Sequence, residues 1–147
     1  MSLSAFLEGK MPDTNGRMLE EIFNFSDQEI ESRHDYIQWV FPLDEKSRSN
    51  FAAPVLEEFE IEEIRSSEIA QQNLIKSADW FFHFLQQHDH WIKSYDHNHL
   101  RITRVIKCLR LLIDDETADK FHATVKYYLG NRYEEIGIKP RTFWENA

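Results

Sequence analysis

Residues able to do chemistry gather in three places along the chain. The first is His34-Asp35-Tyr36-Ile37-Gln38-Trp39-Val40-Phe41-Pro42, which concentrates aromatic and apolar side chains and is stopped by a proline. At helical spacing Tyr36, Trp39 and Val40 share one side and Ile37 and Phe41 another, leaving Glu31, His34, Asp35 and Gln38 as a polar strip between them. The second place is Leu100–Ile113. There Ile102, Val105, Ile106, Leu109, Leu112 and Ile113 form an apolar face, with Arg101 at its edge. An arginine at the edge of a core keeps its charge and must satisfy up to about five donors, so carboxylates or carbonyls should meet it. Glu31 and Asp35 are the expected partners. Two readings stay open: an ion pair clamping two helices, or a guanidinium that anchors a ligand carboxylate or phosphate. In the second reading Tyr36 and Trp39 supply flat apolar contact, Arg101 or Arg104 takes an anionic group, and Asp35 or Glu31 takes an amine. The candidate ligand-binding set is therefore Glu31, His34, Asp35, Tyr36, Gln38, Trp39, His97, Asn98, Arg101 and Arg104.

The third place is His88 to His99, where His88, His90, His97 and His99 crowd together with Asp89 and Asp96. His-x-His pairs do occur in metal sites. Here no cysteine partner and no His-Glu-x-x-His helix accompanies them, so the histidines read as loop and capping residues. His122 lies on an apolar stripe and reads as a core histidine. Cys108 falls within a hydrophobic helix with no histidine–acid partner and reads as a core filler. No Gly-x-Ser-x-Gly elbow is present, and four glycines are too few for a phosphate-cradling loop. The expectation is a non-enzymatic chain without metal or cofactor.

These residues need helices to position them, and the patterning supplies helices throughout. Met18, Leu19, Ile22 and Phe23 suit a short amphipathic helix after the turn-forming run from Met11 to Gly16. Ser26 and Glu29 have capping-box spacing and should start a helix that runs on into the aromatic stretch, with or without a break near Ser32. Leu43 to Pro54 reads as a surface loop. Leu56 to Ile64 fits either a strand or a short helix, and the helix is preferred because no second strand lies nearby to pair with it. Its glutamates read as a solvated face. Ser66 or Ser67 can cap a long central helix carrying Ala70, Leu74, Ala78, Phe81 and Leu85. Asn98 is placed to cap the Arg101 helix. Ala118, Phe121, Val125 and Leu129 form a further stripe that Gly130 ends. Ile136, Ile138, Phe143 and Trp144 should pack back on the body. The expected fold is all-α, one compact multi-helix domain over residues 12–147, preceded by a weakly anchored segment, 1–11.

The totals agree with that picture. A chain of 147 residues can bury a sizeable core, and four tryptophans, five tyrosines and eleven phenylalanines are available to fill it. Acidic residues outnumber basic ones 26 to 17, giving a formal charge of −9, which argues against nucleic acid as a partner. A single cysteine excludes an intrachain disulfide and fits a reducing, cytoplasmic setting. No basic-then-apolar leader and no long apolar run is present. Composition leaves the oligomeric state open.

The two principal motifs together, His34–Pro42 and Asn98-His99-Leu100-Arg101-Ile102-Thr103-Arg104-Val105-Ile106, resemble the opioid growth factor receptor conserved-region family. Asp13 with Gly16-Arg17, Glu31, Ser47 and Ala53-Pro54-Val55-Leu56 extend the likeness over roughly residues 12 to 129. In place of His99 the animal pattern usually has asparagine, and its connection before the Arg101 helix is longer. The resemblance implies a helical domain of receptor type whose animal members take a short opioid peptide and are tied to the nucleus and its membrane. A peptide or small-molecule partner, and any membrane association, are expected on this ground alone. A domain that merely serves as a scaffold, with its motifs devoted to packing, is the alternative.

Overall fold

The computed structural model describes residues 2–147; Met1, which opens the 1–11 segment, lies outside the described residues. The chain is all-α, with no strand among the described residues. Its packing groups it into two compact units that divide after Trp80.

The first unit holds α1 (Leu3–Leu7), α2 (Leu19–Phe23), α3 (Asp27–Ser32), α4 (Ile37–Val40), α5 (Glu58–Ser66) and the opening turns of α6 (Glu68–Gln87). Its amino-terminal segment departs from expectation, because it is firmly tied down. The Ser2 hydroxyl caps α1 by accepting from Ala5 N, and Leu3, Phe6 and Leu7 are buried. Phe6 meets the Trp39 ring edge-on at 5.3 Å. The buried Glu60 carboxylate accepts from Leu3 N at 3.1 Å with one oxygen and from Glu57 N at 3.0 Å with the other. One acid thus closes the start of α5 and holds α1 against it. Nothing in the local sequence around Leu3 marks that partner, which lies 57 residues on.

Ser26 and Glu29 form the expected capping box, each accepting from the other's backbone N–H. The helix they start does not reach the aromatic motif. It ends at Ser32, and Arg33 is extended. A second, four-residue helix then carries Ile37–Val40. Pro42 limits it, since a residue before proline is pushed out of helical geometry; Phe41 has left that geometry with φ −126° and ψ 70°. The polar strip anticipated on one continuous helix is therefore broken between Glu31 and Gln38. The loop after Pro42 is closed by Leu56 N donating to Leu43 O. Ser67 caps α6 by accepting from Ala70 N.

The second unit comprises the end of α6, α7 (His97–Leu112), α8 (Asp115–Leu129), a 3-10 turn (Gly130–Glu135) and α9 (Ile138–Asn146). α7 packs against α8 and α9. Ile102, Val105, Ile106, Leu109 and Leu112 of α7 meet the core together with Ala118, Phe121, Val125 and Leu129 of α8, all buried. Gly130 ends α8 at φ 53°, a left-handed conformation that suits glycine. Of the carboxy-terminal apolar residues, Ile136 and Trp144 pack inward, whereas Ile138 and Phe143 are exposed. Trp144 is the anchor: its Nε1 donates to His99 O at 2.9 Å, and the rings of His99, His122 and Tyr133 surround it. Gly137 lets the segment before α9 approach residue 94, its N–H donating to Ser94 O at 3.1 Å where a Cβ would collide.

Candidate functional site

In the first unit, the turn from Asp13 to Arg17 builds the polar edge of the aromatic motif. The Asp13 side chain is fully buried and accepts from Asn15 N, Arg17 N and Arg17 Nε, each at 2.9 Å. So fixed, the Arg17 guanidinium reaches Asp35 with NH1 at 2.9 Å, and Asn15 Nδ2 donates to the other Asp35 oxygen at 2.7 Å. Burial opposes the charge on Arg17, but the carboxylates of Asp13 and Asp35 outweigh it and raise its pKa. Asp35 nevertheless keeps half of its side chain, 49%, in solvent. Arg17 and Asn15 were absent from the sequence-derived set. The only trace of them was the Asp13…Gly16-Arg17 turn.

Behind this edge the motif turns inward. Tyr36 is fully buried, donates its hydroxyl to Ile30 O at 2.7 Å, and packs edge-on against Phe25 and Trp80. Trp39 is buried against Phe6. Gln38 is only 3% exposed, and among the described residues its Oε1 has no hydrogen-bond donor. Of the other candidates, Glu31 is half-buried and His34 is exposed.

In the second unit, the first two turns of α7 carry four candidates, His97, Asn98, Arg101 and Arg104. The helix is capped by Asp96, whose Oδ1 accepts from Asn98 N at 2.9 Å. Asn98 is thus not the cap. It sits inside the first turn, fully buried, where its Oδ1 accepts from Arg101 NH1 at 3.2 Å. Arg101 is itself buried, and His97 and Arg104 are partly exposed. His99 is buried, with Nε2 2.7 Å from Trp91 O. Burial lowers the His99 pKa, against the opposing pull of the Trp91 carbonyl and Asp96.

The remaining chemistry-bearing residues are placed as follows. His88 and His90 stand with ring centroids 5.6 Å apart, and His88 also meets Phe84. No group of three or more His, Cys, Asp or Glu side chains arranged to hold a metal occurs among the described residues. Cys108 is unpaired by any disulfide and fully buried, and burial pushes its thiol far up. Cavities open in both units among the described residues. One, about 350 Å³, lies in the second unit between Gln86–His90 and Tyr128. Another, about 460 Å³, lies in the first unit where the end of α1 meets α2 and α6. No described helix is long and apolar enough to cross a membrane.

Fold and site together define an all-α chain whose first unit is organised on a buried aromatic motif with an ion-paired polar edge. A family model described as the opioid growth factor receptor (OGFr) conserved region matches residues 5–89, more than half of the chain, and the chain belongs to that family. It is 32% identical over 116 residues to the opioid growth factor receptor of Rattus norvegicus, covering 65% of this chain and 20% of that protein. It is 30% identical over 125 residues to the opioid growth factor receptor-like protein 1 of Mus musculus, covering 71% of this chain and 27% of the relative. The match therefore spans about a fifth to a quarter of the length of these relatives. No solved structure matches the chain significantly.

Proposed function

We propose that this chain is a non-enzymatic binding domain of receptor type, taking a short peptide or small ligand at the edge of the aromatic motif. The names of its relatives support a receptor role. One structural observation carries the reading: Gln38, buried at the centre of the motif, offers an acceptor that no group among the described residues satisfies. A buried acceptor without a donor costs about 1–3 kcal/mol, so it persists where something compensates. A ligand amine or amide N–H is the matching group. Asp35, fixed by Arg17 and Asn15 yet half in solvent, takes the ligand's positive charge. Glu31 and His34 precede it in sequence. On α7, Arg101 and Arg104 with His97 and Asn98 are proposed as a separate set of groups suited to an anionic partner. A single buried cysteine supports an intracellular setting.

Calorimetric titration with short aromatic peptides tests the reading. The expected outcome is measurable binding that Asp35→Asn weakens by about tenfold, a loss of about 1.4 kcal/mol. A domain serving as a scaffold alone would show no binding in either form.

A further inference from the structure

α9 is held to the second unit by few groups. Of its nine residues, Ile138–Asn146, only Pro140 and Trp144 are buried. Trp144 fills a hollow walled by the rings of His99 from α7, His122 from α8 and Tyr133, whose centroids stand 5.8, 6.4 and 6.2 Å from its own. Each wall residue has a buried polar atom with no hydrogen-bond partner among the described residues: His99 Nδ1, His122 Nε2 and the Tyr133 hydroxyl. The tautomer of His99 follows from its bond to Trp91. A carbonyl oxygen only accepts, so Nε2 carries the proton and Nδ1 is bare. A second proton on His99 would therefore sit on a buried nitrogen that meets no acceptor, beside the indole that anchors α9.

The surrounding charges do not offset that cost. His99 faces Asp96, with Lys93 and His97 against it; His122 faces Asp119 and Glu145 of α9, with Lys126 and Arg110 against them. Asp119 is already engaged by Arg110 at 2.7 Å, and Arg110 also donates to Ala147 O. Lys126 and Arg141 stand over the Tyr133 ring at 5.0 and 5.5 Å, adding further positive charge to this corner. Burial is the largest influence at both histidines, and it resists their charging. We propose that α9 is a strap released by mild acid: protonation of His99 and His122 expels Trp144 and undocks the helix while α7 and α8 stay packed. Once α9 is released, both rings regain water and their ordinary value of 6.5. Docking is therefore fully favoured above that pH and weakens as pH falls toward the lowered docked values. Over that window the open fraction rises about tenfold per pH unit for each histidine.

The test is amide hydrogen exchange of the isotope-labelled whole chain, followed by nuclear magnetic resonance between about pH 7.5 and pH 5 and expressed as protection relative to an unstructured chain. The Thr142, Trp144 and Glu145 amides of α9 should be less protected than those of Val105 and Val125 at every pH, because α9 opens without the α7–α8 pair. Below about pH 6.5 the α9 amides should lose about tenfold in protection, or more, per pH unit. His99→Gln keeps an N–H for the Trp91 carbonyl, and His122→Phe keeps a ring against Trp144. Together they should flatten the pH dependence at α9. His122→Phe alone should about halve its logarithmic slope, and this single variant carries the test if the double variant does not fold. The proposal is overturned by any of three results: α9 protection that does not change with pH, equal protection of α9 and of Val105 and Val125 at every pH, or an unchanged slope in His122→Phe.

Discussion

Arg17 and Asp35 stand 18 positions apart and are joined by a 2.9 Å ion pair that also fixes the orientation of the aromatic motif's polar edge. The pair is asymmetric. Arg17 is nearly covered, with 12% of its side chain exposed, and leans on the fully buried Asp13, whereas Asp35 is half in water. Removing the two partners should therefore have different consequences.

Arg17→Ala strips a buried carboxylate of its counter-charge. Asp13 keeps two backbone donors, Asn15 N and Arg17 N, which soften the loss. The expected destabilisation is about 2–4 kcal/mol, near or just below the range for breaking a buried pair. Asp35→Asn removes only the exposed partner and should cost less than about 1 kcal/mol. Urea denaturation of both variants checks the difference.

Trp144 anchors α9. Trp144→Ala should destabilise the chain by about 3–5 kcal/mol through the cavity it leaves. Trp144→Phe retains most of the ring but leaves His99 O without its indole donor, at a cost of about 1–2 kcal/mol. Denaturant midpoints of the two variants separate packing from hydrogen bonding.

The same cluster should make the chain sensitive to mild acid. His99 and His122 both have pKa values lowered by burial from the usual 6.5. Lys93 and His97 add to this at His99, against the Trp91 carbonyl and Asp96; Lys126 and Arg110 add to it at His122, against Glu145 and Asp119. Their Nδ1 and Nε2 atoms respectively are buried with no acceptor among the described residues to receive a new proton's hydrogen bond. Below about 6.5 the unfolded chain takes up protons that the folded chain resists, so stability is full above that pH and falls as pH drops toward the lowered folded values. The melting temperature should decline between about pH 7 and pH 5. His122→Phe should reduce the slope, since one of the two resisting groups is gone. A thermal melt series across that range reads both.

Gly137→Ala tests the close approach before α9. Its added methyl would strike the Ser94 carbonyl, a backbone atom that can yield only by moving the chain. A loss of about 1–3 kcal/mol is expected, read by thermal melting.

Much of this architecture is legible from local patterns. The Ser26–Glu29 box, the α7 and α8 stripes and the Gly130 stop follow from spacing alone, because each depends on residues within a few positions. Other features depend on distant partners. The weakly held start expected for residues 1–11 is reversed by Glu60, which binds Leu3 N from α5. The break near Ser32, which the local pattern leaves open, is set by the burial of Tyr36, whose hydroxyl reaches back to Ile30 O. Asn98 looked like a cap and became a partner of Arg101. Arg17 carried no periodic signal, since it acts from a turn on a residue in another segment.

Gln38 supplies the most direct test of the binding role. Gln38→Leu replaces a buried, unsatisfied amide with an apolar side chain, so the variant should melt at a higher temperature than the parent. If the motif holds a ligand, the same change should abolish or strongly weaken the affinity for short aromatic peptides measured by calorimetry. A more stable variant that binds those peptides as well as the parent, or a parent that binds none of them, would contradict the account.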